Sequence, residues 1–423
     1  MAFVSRLLGR REPLATPGQH LQQSELRPSL PRAGRAGRPT FGSASLPPAK
    51  QQTLREVFTP TRPQRSARRL VGRQPELIRI FRAIAVDRAH VVLYGERGRG
   101  KTSLVNLVAA AARSSGYMVG RFACSFDSTF DDIVRGLACD LPASFLAVPA
   151  ITDGAGEGCE AGLPIGKLQP RDIAALPGRL TGRHLLLIID EFDRVEDPAT
   201  RTRFADTIKL VSDRGAAVSF VIVGVSDSLE ELLGRHPSIQ RNILGMPLPL
   251  LTDAEIEEIL GEGGREANIE FPRPMRAVIV SLARGMPYIA QLLGLHAAAE
   301  AAARGATVIG NQDLYAAIKR AVDEADPRVT VLYERLTKRG RDAAMRDALY
   351  GIAAGEQDKF ARFVVNDQGG VLRAAGFRIS QAQWEQILEL GAVRPCLSAG
   401  PGAYTFADPM LPHYVLMREA LEG

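Results

Sequence analysis

The chain has 423 residues, 45% hydrophobic and 24% charged, and its 53 Lys+Arg against 47 Asp+Glu give a formal net charge of +6. Such a length provides for two or three domains at roughly 150 residues each, and the apolar run Leu185–Ile189 falls far short of the ~18 residues a membrane-spanning helix needs, so no integral membrane association is expected. Four cysteines (Cys124, Cys139, Cys159, Cys396) include no CxxC pair and are too far apart for a disulfide framework or a zinc knuckle, which points to a reducing compartment.

The charge is unevenly distributed. Residues 1–70 hold 13 Lys+Arg, 3 Asp+Glu and nine of the 27 prolines; segments such as Arg27-Pro28-Ser29-Leu30-Pro31-Arg32 interrupt any helix. Residues 1–68 therefore read as a disordered basic tail, either a solvated linker or a contact for nucleic acid or an anionic surface. At its start, Phe3, Val4, Leu7 and Leu8 can share one helical face opposite Arg6, Arg10 and Arg11. This pattern suits a docking helix, or by composition a mitochondrial transit peptide. The Ala/Arg/Gly-rich style of the chain favours a bacterial cytoplasmic protein, with the mitochondrial matrix as the alternative.

From about residue 70 strands and helices alternate. His90–Tyr94 reads as a buried strand, Thr102–Ala112 as a helix, Tyr117–Ala123 as a strand and Phe130–Leu141 as a helix. Residues 142–167 are Gly-rich and read as a surface insertion. A helix over Pro170–Leu180, the strand Leu185–Ile189, a helix over Ala199–Ser212 and the strand Val218–Gly224 come next. The alternation predicts an α/β domain with a mostly parallel sheet.

Between the first strand and the next helix lies Gly95-Glu96-Arg97-Gly98-Arg99-Gly100-Lys101-Thr102, a GxxxxGK[ST] sequence. In that context it reads as a phosphate loop, with Ser103 just inside the helix. Backbone N–H groups and the positive end of the helix converge on polyphosphate oxygens, and Gly100 lets the chain approach without a Cβ clash. Lys101 is then the contact to the β- and γ-phosphates of ATP, or to ADP, and Thr102 a ligand of Mg²⁺. The strand Leu185–Ile189 ends in Asp190-Glu191. Beside a phosphate loop, Asp190 is the second Mg²⁺ residue and Glu191 the group that orients or deprotonates the attacking water.

With these two motifs the chain resembles the AAA+ ATPases, in particular their origin-recognition/initiator clade, with features of the STAND signalling ATPases. The resemblance covers residues 69–325. It extends to Leu70-Val71-Gly72-Arg73-Gln74-Pro75-Glu76-Leu77, similar to the box that precedes the phosphate loop and lies near the adenine, which brings in Gly72 and Arg73. It also extends to Val221–Asp227, similar to the strand ending in the sensor 1 residue, here Asp227, and to His236–Arg241, similar to the segment carrying an arginine finger, here Arg241. The resemblance implies a P-loop NTPase AAA+ αβα core over 69–250, a helical lid over 251–325 and an ATP-hydrolysing activity.

The lid is supported by its own residues. Thr252 and Glu255 form a capping-box pattern ahead of Ile256, Ile259 and Leu260, and Met275–Arg284, Ile289–Arg304 and Asn311–Ala325 are helix-like. Where the resemblance leads one to expect the sensor 2 arginine, this chain has Tyr288, in Gly285-Met286-Pro287-Tyr288. This is similar to the GxP element of STAND ATPases, whose proline, here Pro287, approaches the nucleotide. Slow or partner-stimulated hydrolysis is the resulting expectation.

Residues 326–423 read as a winged-helix domain, with helices over Arg341–Ala353 and Ser380–Leu390 and a hairpin formed by Val393–Leu397 and Ala403–Phe406. In initiators such a domain binds duplex DNA. The candidate recognition helix, Ser380–Leu390, holds two glutamates and no Lys or Arg, and residues 326–423 balance 12 Lys+Arg against 12 Asp+Glu. Two classes of function therefore stand: a DNA-associated ATPase that assembles as a homo-oligomer, and a regulatory switch whose winged helix docks a protein partner. The six histidines show no metal-ligand spacing.

Overall fold

The computed structural model describes residues 47–63, 70–141, 163–164, 166–176, 184–234, 239–338, 341–367 and 370–422. The segments expected to form the extreme N-terminal helix and most of the 142–167 insertion lie outside the described residues.

The first layered unit is built on five parallel strands, β1 (His90–Tyr94), β2 (Met118–Ala123), β3 (Leu185–Asp190), β4 (Val218–Gly224) and β5 (Ile243–Pro247), in the order β2-β3-β4-β1-β5. Each central strand is a run of aliphatic residues because a parallel strand covered by helices is buried on both faces, and every residue of β3 and β4 is buried. Side chains alternate between the faces. Val92, Ile189 and Phe220 join one apolar cluster with Phe130, Ile133 and Phe204, while Val91, Leu93, Ile188 and Val221 join another with Ile80, Leu104 and Val108.

The helices of this unit obey the same pattern. Preceded by α1 (Pro48–Val57), α2 (Gln74–Ala85) leads into β1, α3 (Lys101–Ser114) comes after it, and α4 (Phe130–Cys139) comes after β2. Next are α5 (Pro170–Ala175), then α6 (Pro198–Asp213) after β3 and α7 (Leu229–Leu233) after β4. The αβα core expected from the sequence is thus observed. Because all five strands are parallel, their C-terminal ends lie along one edge, bringing the loops after β1, β3 and β4 together.

Four helices come next, α8 (Asp253–Ala267), α9 (Arg273–Ala283), α10 (Pro287–Ala303) and α11 (Asn311–Asp323). The expected capping box starts the first of them: Thr252 N donates to Glu255 Oε2 at 2.7 Å and Glu255 N donates to Thr252 Oγ1 at 3.3 Å.

One expectation is corrected here. Within the span read as a disordered tail, Pro48–Val57 is a helix docked on the lid, with Leu54, Val57 and Phe58 buried. Phe58 occupies a slot between two glycines: a Cβ on Gly263 would lie 2.5 Å from its ring, and one on Gly294 2.7 Å. The basic composition hid the three apolar residues that anchor the segment.

The C-terminal part contains α12 (Pro327–Leu336), α13 (Ala343–Ala354), β6 (Phe363–Asp367), β7 (Leu372–Ala374), β8 (Phe377–Arg378), α14 (Gln381–Glu389), β9 (Val393–Pro395), β10 (Ala403–Phe406) and α15 (Leu411–Glu422). The expected hairpin pairs antiparallel, Tyr404 opposite Pro395 and Phe406 opposite Val393. It belongs to a larger sheet, ordered β8-β7-β6-β10-β9. The first hairpin strand is shorter than expected, since the chain leaves the sheet for a 3-10 turn over Leu397–Ala399. The boundary drawn at residue 326 does not divide two cores, because Val329, Tyr333, Leu411 and Tyr414 share one continuous apolar cluster with Ile279, Leu293 and Ile318 of the lid. No described helix is long and apolar enough to cross a membrane.

Candidate functional site

The loop between β1 and α3 turns on glycines in left-handed conformations, with φ of 84° at Gly98 and 90° at Gly100, where a side chain would be strained. A Cβ on Gly100 would meet nothing within 4 Å, so the space before the helix is open to a ligand. Helix α3 begins at Lys101 behind this space, aiming its first-turn N–H groups and positive dipole end toward it. Lys101 Nζ curls across the loop, donating to the carbonyls of Gly95 at 2.6 Å and Glu96 at 3.0 Å. Burial, and then the nearby Arg99, lower its pKa to about 8. Thr102 and Ser103 sit in the first turn of α3, both half-buried, while Arg97 is exposed at the loop apex.

Asp190 closes β3 and is buried. Its Oδ1 accepts from the Glu191 amide at 3.0 Å, and its Oδ2 accepts from Arg121 Nη2 at 2.9 Å. Arg121, on β2, also donates to Asn106 Oδ1 on α3, so one guanidinium ties the acid to the helix after the phosphate loop. Glu191 has φ of 55°, unusual for a residue with a side chain, and its half-exposed carboxylate accepts from Arg194 at 2.8 Å. The Thr102 hydroxyl and Asp190 carboxylate are hard oxygen donors of the kind Mg²⁺ takes. Among the described residues no group of three or more His, Cys, Asp or Glu gathers to hold a metal by itself. Beside these acids lies Cys124, whose thiol is pushed up to about 12 by burial and then by Asp190.

Asp227 lies beyond the end of β4, whose strand pairs with β1, which brings it to the same edge as the phosphate loop. Its amide donates to Glu231 Oε2 at 3.0 Å, and its carboxylate is held by Arg394 of β9, which also donates to Glu96 Oε1 at 2.5 Å. Burial works against the charged form of Arg394, but the Asp227 and Glu96 carboxylates more than offset it and raise its pKa above the ordinary arginine value. Neither Arg394 nor Arg121 stands out in the sequence, because both contacts join residues far apart in the chain.

Arg73 is buried and works as a brace: its Nη2 donates to the Arg99 carbonyl at 3.0 Å and the Pro249 carbonyl at 2.9 Å. Gly72 sits where any side chain would strike the Glu255 carboxyl, 2.5 Å from a Cβ. Arg99 is buried and donates to the carbonyls of Leu248 at 3.0 Å and Phe360 at 2.8 Å. Pro287 starts α10, and its neighbours Met286 and Tyr288 overlie Gly98 at 3.0 and 3.5 Å from the position of a Cβ there. The lid element thus reaches the phosphate loop. Arg284 donates to the Ala354 and Gly355 carbonyls at 2.9 and 2.6 Å, capping α13. Arg241 lies in the 3-10 turn Gln240–Asn242, exposed, just ahead of β5; residues 235–238 beside it are outside the described residues.

Residues 69–223 match the family described as AAA ATPase domain. No curated protein matches the chain. Among solved structures, a Walker-type ATPase of Pyrococcus abyssi superposes with a TM-score of 0.51 at 18% identity, covering 86% of this chain and 99% of that one. The Aeropyrum pernix ORC2 protein (TM-score 0.48, 15% identity, 87% and 98% covered) and the Thermotoga maritima RuvB Holliday junction branch migration motor (TM-score 0.45, 14% identity, 85% and 98% covered) are more distant.

Proposed function

We propose, for a chain whose residues 69–223 match the AAA ATPase domain family, that it binds ATP with Mg²⁺ and hydrolyses it to ADP and phosphate to drive nucleotide-dependent assembly or switching. The observation that carries this reading is the phosphate loop with Lys101 Nζ across it, on the same sheet edge as Asp190 and Glu191. In the proposed reaction the backbone N–H groups from Gly98 to Ser103 hold the phosphates and Lys101 neutralises the β- and γ-oxygens. When bound, Mg²⁺ supplies charge neutralisation between these oxygens, and Thr102 and Asp190 are the residues to hold it. Glu191 takes the proton of the attacking water, and Asp227 orients that water. Arg73 and Gly72 shape the approach to the base, Pro287 closes the lid side, and Arg241 acts across a subunit boundary in a homo-oligomer.

The reading includes association with duplex DNA through the basic tail and the C-terminal winged-helix-type domain. One observation favours a second reading, a switch that docks a protein. The candidate recognition helix α14 carries no Lys or Arg and spends two of its polar side chains internally: Gln383 Nε2 donates to the Ala344 carbonyl at 2.8 Å and Gln386 Nε2 to the Leu336 carbonyl at 3.0 Å. Little is left on this helix to read base edges.

Light scattering with ADP, or with ATP and Mg²⁺, with and without duplex DNA at low salt, separates these readings. Growth in size with ATP that DNA enhances supports DNA-linked assembly, and Arg241→Ala is then expected to abolish turnover while sparing ATP binding. A size unchanged by ATP, with no DNA binding at low salt, would reject assembly on DNA and leave the protein-directed switch.

A further inference from the structure

Two of the acids around the phosphate loop share one cation, and this inference rests on reading that loop as a nucleotide site. Glu96 belongs to the loop itself, and Asp227 comes just after the neighbouring strand. Carboxylates near a polyphosphate oppose its binding unless a cation compensates them. Here one guanidinium serves both. Arg394 donates from Nη2 to Glu96 Oε1 at 2.5 Å and to Asp227 Oδ1 at 3.2 Å, and from Nη1 to Asp227 Oδ2.

Arg394 arrives from β9, across 298 residues from Glu96 and 167 from Asp227, so it reaches them only while the C-terminal sheet is docked on the core. Other contacts hold that docking. Arg99 donates to the Phe360 carbonyl at 2.8 Å, Leu250 N to the Lys359 carbonyl at 2.8 Å, and Arg284 to two carbonyls at the end of α13. Met410, just ahead of α15, comes within 3.6 Å of a Cβ position on Gly98. The phosphate loop is thus directly contacted by the C-terminal part, and the Arg394 contact places a cation on an acid of the loop itself.

We propose that Arg394 is a positioning residue that completes the nucleotide site within the same chain by neutralising Glu96 and Asp227. Affinity for the polyphosphate of ATP or ADP then depends on docking of the C-terminal sheet. By linkage, bound polyphosphate strengthens that docking to the same degree.

The test compares ATP and ADP affinities of the full chain with those of Arg394→Gln, the double variant Glu96→Gln/Asp227→Asn, and the triple variant combining them, with Lys101→Ala as the control for the site. Arg394→Gln is expected to weaken binding by roughly 10-fold or more, as when one partner of a partly buried charge pair is removed. The triple variant is expected to recover, binding within about 3-fold of the double variant, because neither of the two acids that Arg394 compensates is left. Affinity unchanged or tighter in Arg394→Gln, or a triple variant as weak as Arg394→Gln, would overturn the proposal, the last by showing a structural role only. A wild-type chain that binds no nucleotide, or a Lys101→Ala chain that binds as well as wild type, would overturn the nucleotide reading itself, and the proposal with it. A readout on the unaltered protein is independent of these variants: hydrogen exchange at β9 and β10 is expected to slow when ATP is added, and exchange that stays the same or quickens contradicts the linkage.

Discussion

The carboxylate of Glu191, the acid proposed to act on the attacking water, accepts from the Arg194 guanidinium at 2.8 Å. Both side chains are about half exposed, 53% and 51%, so water screens the pair strongly. The pair therefore steers Glu191 without fixing it. Arg194→Ala is expected to leave ATP affinity unchanged and to alter kcat by less than about 5-fold, as for other solvent-screened ion pairs. A larger loss in steady-state turnover would assign Arg194 to the chemistry.

Lys101 provides a pH dependence whose sign is set by its surroundings. Burial, and then Arg99, lower its pKa to about 8, so the ammonium is present below that value and lost above it. ATP affinity is expected to be level at neutral pH and to fall as pH rises through 8, by up to about 10-fold per pH unit where one proton is linked to binding. Titration of affinity against pH checks this, and a flat profile to pH 9.5 would remove Lys101 from the phosphate contacts.

Arg121 holds the Asp190 carboxylate from β2 and also reaches Asn106 on α3. With Arg121→Ala, the buried acid loses a charged partner and its orientation. The concentration of Mg²⁺ needed for half-maximal turnover is expected to shift by roughly 10- to 100-fold, the usual reach of residues that orient a metal ligand. Binding of ATP in the presence of EDTA is expected to change little. Equal loss in both assays would make Arg121 a support of the fold.

Phe58 is fully buried in the slot between Gly263 and Gly294. Removing its ring in Phe58→Ala is expected to cost about 3–5 kcal/mol of the stability of the lid region, read as a lowered urea midpoint and as faster hydrogen exchange in α8 and α10. An unchanged midpoint would mean that α1 is dispensable to the lid.

Much of the core was legible in the sequence because parallel strands buried on both faces leave apolar runs, and β1, β3 and β4 fell within one residue of the expected bounds. The phosphate loop and Asp190-Glu191 were legible for a related reason: their chemistry needs fixed residue types at fixed spacing, next to elements that periodicity identifies. The features that escaped depend on contacts between distant residues. Strand β6, as long as β1, is mostly exposed and leaves no apolar run, β7 and β8 are only three and two residues long, and α15 is buried on most sides, so its periodicity is flattened. Phe58 was masked by the basic residues around it. Arg394 and Arg121 look like ordinary surface cations until the fold brings acids to them.

The most direct test of the account is phosphate release from ATP with Mg²⁺ by the wild-type chain, by Lys101→Ala and by Glu191→Gln, with nucleotide binding measured in parallel. The expected result is turnover by the wild type, loss of binding in Lys101→Ala, and retained binding with turnover reduced by about 10²-fold or more in Glu191→Gln, the scale of a missing general base. Wild-type turnover matched by Glu191→Gln, or nucleotide binding that survives Lys101→Ala unchanged, would contradict it.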